Sequence, residues 1–216
     1  MALTCTNAIP HGGGQGSSAA AIVAGLMIAR GLAPDGAPGL DDAELLALAA
    51  RIEGHPDNVA AALLGGFTLS WTAAGRSTAI RHRVHPDIRA VLFTAGQAAS
   101  TAHARGLLPP TVPHVDAAAN AARAGLLVHA IGTDPRYLFA ATEDRLHQQY
   151  RASGVPASMS LVGELRAAGV AAVISGAGPS VLALTTEPLD LGEWGRDGFV
   201  ATELAIDTAG AVLERW

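Results

Sequence analysis

Three short stretches of this sequence place glycine beside residues that can hold an anion or a cation. They read AIPHGGGQGSSAAAIVAG at positions 8–25, EGHPDNVAAALLGG at 53–66 and SGAGPSVLAL at 175–184. Glycine lets backbone N–H groups turn towards a ligand, hydroxyl groups add donors, and carboxylates hold hard cations such as Mg²⁺. These residue types together predict a site for a phosphate and its bound metal ion.

The first stretch is a glycine-rich loop that runs directly into an apolar helix, predicted from about Ser18 to Arg30. The positive end of a helix dipole and free backbone N–H groups at the same point favour a phosphate. An equally weighted alternative is a plain flexible turn in which Ser17 only caps the helix. A Walker A loop is excluded because the sequence contains no Lys. A dinucleotide fingerprint fits Gly14, Gly16 and Ala19 only weakly, since the acidic residue it requires would fall in a loop instead of at the end of a strand.

The second stretch crowds four polar side chains into six residues ahead of a helix that looks buried: Glu53, His55, Asp57 and Asn58. One interpretation is structural, with one of them capping the helix and the others solvated. The functional interpretation assigns a carboxylate, first of all Glu53, to magnesium, and His55, Asp57 or Asn58 to the molecule that accepts the phosphate.

The third stretch is a tight turn between two predicted strands, in which Gly176 and Gly178 permit close approach of a ligand or of another loop. It could form the opposite wall of a phosphate pocket. Thr101, Arg105 and Arg151 are further candidates. A single Arg is usually a solvated partner of an acid, but two that converge can bind a substrate carboxylate with paired hydrogen bonds.

Composition narrows the classes of function. The 216 residues carry a net charge of −5, which gives no basic field for nucleic acid or for an anionic membrane. All 14 basic residues are Arg, so a Schiff-base lysine is excluded. The single Cys5 permits no intrachain disulfide, and the N-terminus lacks the pattern of a signal peptide, so we expect a cytoplasmic protein.

Predicted helices and strands alternate irregularly along the chain, which indicates an α+β fold and not a regular βαβ array. Extended runs are predicted at 3–6, 67–71, 78–84, 88–94, 170–175, 180–184 and 199–206. Helices are predicted after Asp41, which stands in capping-box spacing with Glu44, from Pro56 at the first helical position to the glycine pair at 65–66, over 114–132, from Pro135 to about Arg151, and over 159–169.

The three stretches, in this order, resemble the superfamily of galactokinase, homoserine kinase, mevalonate kinase and phosphomevalonate kinase. The middle stretch, together with STAHARGLLP at 100–109 and DRLHQQYR at 144–151, is similar to homoserine kinase in particular. The resemblance covers essentially the whole chain.

This resemblance implies a two-domain small-molecule kinase fold, with a partial N-terminal domain over 1–85 and a C-terminal ferredoxin-like α/β sandwich over 86–216. It also implies ATP-dependent phosphorylation of the side-chain hydroxyl of L-homoserine with Mg²⁺, a step of threonine biosynthesis. The implied partners are this small molecule and, as one expected assembly, a second copy of the chain.

The site residues implied by the resemblance fall into three groups. ATP is expected at the loop, and Ser18 and Glu53 are expected to hold the metal, with Ser18, Glu53 and Asn58 as the catalytic set. The substrate is expected at His55, Asp57, Asn58, Thr101, Arg105, Arg151, Gly176 and Gly178. The expected ATP-binding residues are Pro10, His11, Gly12, Gly13, Gly14, Gln15, Gly16, Ser17, Ser18, Ala19 and Ala20.

The sequence departs from the family pattern in two ways. Gln15 stands where the usual Gly-Leu-Gly-Ser-Ser core has a leucine, which predicts a looser loop. The family's sequence also begins well before this point, so the N-terminal domain is expected to lack strands and the chain to have weak activity. The alternatives are another small-molecule kinase of the superfamily and an inactive remnant that binds ligand.

Overall fold

The computed structural model describes residues 2–34, 40–96, 101–196 and 198–214, and the side chains of 101–103 lie outside this description. Its N-terminal part packs three helices against a two-stranded antiparallel sheet. These elements are α1 (Ser17–Leu32), α2 (Asp42–Glu53), α3 (Asp57–Leu64), β1 (Phe67–Ala73) and β2 (Arg76–His82).

Local sequence signals explain where these helices begin and end. Asp41 and Glu44 form the predicted capping box at the start of α2, and Gly54 ends that helix with a positive φ of 91°. Gly65 follows the last residue of α3. The predicted start of α2 and the predicted ends of α2 and α3 are therefore confirmed, whereas Pro56 is the N-cap of α3 and not its first residue. The three helices share one apolar core, in which Ala19, Leu45 and Val59 are nearly fully buried.

The C-terminal part is a four-stranded antiparallel sheet in the order β4-β5-β3-β6. This is the strand order of a ferredoxin-like sandwich, so that prediction is confirmed. Its strands are β3 (Arg89–Ala95), β4 (Ala171–Ile174), β5 (Val181–Thr185) and β6 (Phe199–Leu204). The helices are α4 (Thr101–Gly106), α5 (His114–Gly132), α6 (Leu138–Ala141), α7 (Gln148–Arg151), α8 (Pro156–Ala167) and α9 (Leu191–Trp194), with short 3₁₀ turns at Pro135–Tyr137 and Ala152–Gly154.

Helix α8 supplies much of the core on this sheet. Leu165 packs with Phe93 of β3 and Val181 of β5, and all three are fully buried. Burial of side chains of this size contributes about 1.5–3 kcal/mol each. The central strands are therefore held firmly on the helix layer.

Two elements differ from the sequence prediction. Residues 3–6 were predicted as a strand but are exposed and have no regular structure, because no described strand pairs with them and a lone extended segment gains no ladder hydrogen bonds. The single helix predicted from Pro135 to Arg151 is instead a 3₁₀ turn, α6 and α7, interrupted at Thr142–His147. The Asp144 side chain binds backbone N–H groups in this interruption and so replaces helical hydrogen bonds.

The α+β, two-domain organisation is thus confirmed. The predicted boundary after residue 85 lies between the end of β2 and the start of β3, and it stays a prediction. Within the described ranges, no helix has both the length and the apolar character needed to cross a membrane.

Candidate active site

The glycine loop leads into α1 with the backbone turned for an anion. Gly12, Gly14 and Gly16 have positive φ angles of 67°, 74° and 76°, a conformation that other residues rarely adopt. Gly16 is the N-cap, and in the described structure no side chain caps α1. The alternative in which Ser17 caps the helix is therefore wrong. The first N–H groups of α1 carry the positive end of the helix dipole towards the loop.

The Ser18 and Glu53 side chains meet beside this helix start. The Ser18 hydroxyl donates to the Glu53 carboxylate, with Oγ and Oε2 separated by 2.7 Å. Glu53 is the last residue of α2, and the left-handed Gly54 after it turns the chain towards α3. Two oxygen atoms of the kind that hard cations prefer, 35 positions apart in sequence, are thus placed together beside the start of α1.

His55, Asp57 and Asn58 form a compact polar group at the start of α3. His55 Nδ1 is in close contact with Asp57 Oδ1, and the same oxygen accepts a 2.7 Å hydrogen bond from the Asn58 backbone N–H. The Asp57 carboxylate therefore orients the His55 ring and accepts one backbone N–H in the first turn of α3.

One cavity of about 520 Å³ brings the three glycine-bearing stretches together. Its N-terminal wall is the glycine loop with the Glu53–Asn58 group, and its C-terminal wall carries two arginines, Arg105 and Arg151. The residues that line it are Gly12, Gly14, Gln15, Gly16, Ser17, Ser18, Glu53, His55, Asp57, Asn58, Arg105, Asp144, His147, Gln148, Arg151, Val173, Ile174, Gly176 and Ala177.

Asp144 is one of the residues of this wall that sequence reasoning missed. Its two oxygens accept hydrogen bonds from the side chains of Asn120 and His147 and from the backbone of Leu146, His147 and Gln148. Burial alone would raise the pKa of Asp144, but these hydrogen bonds outweigh it and lower the pKa to about 2. The signal in the sequence was an Asp four residues before the start of a short helix, which is weak on its own.

The residues after Asp144 connect the cavity wall to its neighbours. Gln148 Oε1 accepts a 2.8 Å hydrogen bond from the N–H of Ile174, at the end of β4. Arg151 Nε donates to the carbonyl oxygen of Ala104 in α4 at 3.2 Å. The Asp144-capped segment therefore holds Arg151 close to the helix that carries Arg105.

The two glycine-rich loops lie directly against each other. A Cβ added at Gly14 would lie 2.3 Å from the carbonyl oxygen of Ser175, a distance that real side chains do not tolerate. The Ser175 hydroxyl donates to the Gly14 carbonyl at 2.8 Å, and the Ser180 N–H donates to the Gly13 carbonyl at 3.3 Å. The turn in the third stretch thus contacts the backbone of the glycine loop directly, which is the close approach to another loop that its glycines predicted.

Some of the predicted residues do not line the cavity. Ala19 is buried in the helical core, and Ala20 faces an adjoining groove of about 560 Å³ along α1. Thr101 begins α4, but its side chain lies outside the described structure. The other predicted residues that do not line the cavity are Pro10, His11, Gly13 and Gly178. The roles assigned to individual residues stay predictions.

Comparisons with known proteins show the family to which the chain belongs. The model of the GHMP kinases N terminal domain matches residues 1–66, and the GHMP kinases C terminal model matches residues 127–193. A homoserine kinase of Streptomyces avermitilis is 55% identical over 98% of this chain and 70% of its own length. The chain belongs to the homoserine kinase family of the GHMP kinases.

Other homoserine kinases also match nearly the whole of this chain. A homoserine kinase of Mycobacterium tuberculosis is 50% identical over 97% of this chain and 69% of its own length. The crystal structure of a homoserine kinase from Cytophaga hutchinsonii superposes with a TM-score of 0.79 over 95% of this chain and 70% of that one. At 22% identity this structure supports the fold alone.

Proposed function

We propose that the chain transfers the γ-phosphoryl group of ATP to the side-chain hydroxyl of L-homoserine, forming O-phospho-L-homoserine as a step of threonine biosynthesis. The observation that carries the proposal is the pairing of two unlike walls in one cavity. One wall offers the backbone of the glycine loop and the start of α1, and the other offers Arg105 and Arg151.

Each wall matches one end of the reaction. Free N–H groups at the start of a helix favour the ATP phosphates, since their partial positive charges lie where the negative charge is. Arg105 and Arg151 suit the carboxylate of an amino acid, because a guanidinium group can bind a carboxylate with two parallel hydrogen bonds. A substrate held by that carboxylate would direct its hydroxyl group back towards the phosphates.

Phosphoryl transfer of this kind depends chiefly on positioning and on stabilising the charge of the transferred group. We assign His55 and Asn58 to orienting the substrate beside the phosphate loop. Asp57 is already bound by the His55 ring and by the Asn58 N–H, so its role is to hold that pair in place and not to act as a general base.

The residues present fit a Mg²⁺ ion. Ser18 Oγ and Glu53 Oε2 are adjacent, whereas no group of three His, Cys, Asp or Glu residues among the described positions is arranged to hold a metal. Two protein oxygens are sufficient for Mg²⁺, which usually keeps several waters and binds substrate phosphates. When bound there, the ion would neutralise charge on the ATP phosphates.

The direct test is steady-state ADP formation with L-homoserine, compared with mevalonate and galactose at the same concentration. We expect turnover with L-homoserine alone. Equal or faster turnover with either other alcohol would refute the substrate assignment. Thermal stabilisation by ATP without ADP formation would refute catalysis and favour a protein that only binds the ligand.

Two variants test the metal pair. Ser18→Ala and Glu53→Ala should each lower kcat by about 10- to 100-fold, as expected when a metal site loses a ligand or its support. Ser160→Ala is the matched control, because the Ser160 hydroxyl donates to Glu164 in the same way but on the exposed face of α8. Unchanged turnover in both site variants would contradict the assignment.

Three further assignments remain predictions that accompany this proposal. They are the division into domains at residues 1–85 and 86–216, a cytoplasmic location, and association as a homodimer.

A further inference from the structure

Gln15 is a polar residue in the middle of the glycine loop, and its side chain has partners in the other domain. Its Nε2 donates to the Thr94 hydroxyl at 3.1 Å and to the Ser180 hydroxyl at 3.2 Å. Thr94 lies in β3 and Ser180 immediately precedes β5, which are adjacent strands of the C-terminal sheet. One carboxamide therefore joins the loop to two strands that lie 79 and 165 positions away.

The burial of Ser180 makes its hydrogen bond to Gln15 important for stability. Ser180 is fully buried, and a buried hydroxyl without a partner is costly. Beside Gln15, the backbone of Gly13 and Gly14 also contacts the turn around Ser175. Gln15 is thus the residue of the glycine loop that adds side-chain hydrogen bonds to those made by the backbone carbonyls of Gly13 and Gly14.

We propose that Gln15 is a positioning residue, which fixes the ATP loop on the C-terminal sheet through Thr94 and Ser180. This inference rests on the proposed function. It reverses the expectation that a polar residue at this position loosens the loop, because the amide meets two hydroxyl groups that a leucine could not bind.

The main test compares Gln15→Leu with the triple variant in which Thr94→Val and Ser180→Ala are added. The single change leaves two hydroxyl groups without their donor and should raise the KM for ATP about tenfold, while the KM for L-homoserine changes less than about twofold. The triple variant removes the two hydroxyl groups as well, so no polar group is left without a partner. The logarithm of its KM for ATP should therefore return at least half of the way to the value of the unmodified chain. Gln149→Leu, the same change at an exposed position of α7, should leave both constants unchanged.

A second measurement does not depend on turnover. In hydrogen exchange without ligand, the amides of residues 12–16 should exchange several times faster in Gln15→Leu than in the unmodified chain, and at the original rate in Gln149→Leu. Should the leucine variant fail to fold, Gln15→Asn, which keeps the amide on a shorter stem, takes its place.

The outcomes separate the two proposals. Unchanged ATP KM and unchanged exchange in Gln15→Leu, or equal losses in the single and triple variants, would overturn the role of Gln15. An unmodified chain that does not phosphorylate L-homoserine would overturn the proposed function, and the exchange measurement would still decide whether Gln15 fixes the loop.

Discussion

Replacing Asp144 by Asn should destabilise the fold more than most polar substitutions. The Asp144 carboxylate accepts five hydrogen bonds, divided between Oδ1 and Oδ2. The shortest joins Oδ2 to the backbone N–H of Gln148 at 2.6 Å. An Asn side chain keeps one acceptor oxygen, and its NH₂ group would face N–H donors on the other side. At least one partly buried donor therefore loses its partner.

Two related arguments give the size of the effect. The pKa of this carboxyl is lowered from 3.8 to about 2, and one pKa unit corresponds to about 1.4 kcal/mol. Screening is modest because the side chain is only 16% exposed. Leaving a buried donor without its acceptor costs about 1–3 kcal/mol. Both arguments lead us to expect a loss of about 2 kcal/mol in the free energy of unfolding.

Urea denaturation at pH 7 measures this loss, with Asp41→Asn as the matched control. Asp41 also accepts a backbone N–H at a helix start, but it is exposed, and Asn is as good an N-cap residue as Asp. The control should therefore change stability by less than about 0.5 kcal/mol. Asp144→Asn should also raise the KM for L-homoserine, because the capped segment carries Arg151.

The reasoning would be refuted if Asp144→Asn and Asp41→Asn had equally small effects on stability. A large loss of stability with an unchanged KM for L-homoserine would refute only the connection between this segment and the substrate.

Three further predictions follow from the same structure. Because the pKa of Asp144 is lower in the folded state, its ionised carboxylate stabilises the fold above pH 4. The difference in stability between the unmodified chain and Asp144→Asn should therefore shrink as the pH falls from 4 towards 2. Urea denaturation at each pH measures this difference. Gly14→Ala should abolish ATP-dependent thermal stabilisation, because its Cβ would lie 2.3 Å from a backbone oxygen. Gly16→Ala, whose Cβ would have nothing within 4 Å, should lower the free energy of unfolding by only about 1 kcal/mol because of its positive φ. Equal effects of the two variants on ATP-dependent thermal stabilisation would contradict this reasoning. Leu165→Ala should lower the free energy of unfolding by about 2–5 kcal/mol, and Leu204→Ala, at a site 43% exposed, by less than about 1 kcal/mol.

Local signals were sufficient to predict much of the fold. The capping box at Asp41, the left-handed Gly54 and the glycine pair at 65–66 each end or begin an element through contacts within a few residues, so their effect is readable in the sequence. The strands around Phe93 and Val181 were predictable for a similar reason, since buried strands have a distinctive apolar pattern.

Long-range contacts decided what could not be predicted. The sequence gives only a weak sign that Asp144 interrupts a helix, because an Asp can bind nearby N–H groups without doing so and its partner Asn120 lies 24 positions away. Residues 3–6 have a strand-like composition, but a strand also needs a neighbour, which composition cannot specify. Gln15 looked like a defect for the same reason, since its partners are visible only when the two domains are assembled.

The contact between Gly14 and Ser175 has a consequence for the order in which the protein is made. A ribosome synthesises the glycine loop about 160 residues before the turn that supports it, so the loop must wait, without its final shape, for most of the chain to emerge. Closing so long a loop is slow compared with forming the local helix α1. The nascent chain would therefore acquire its helices early and its capacity to hold a nucleotide only after the turn around Ser175 has been synthesised.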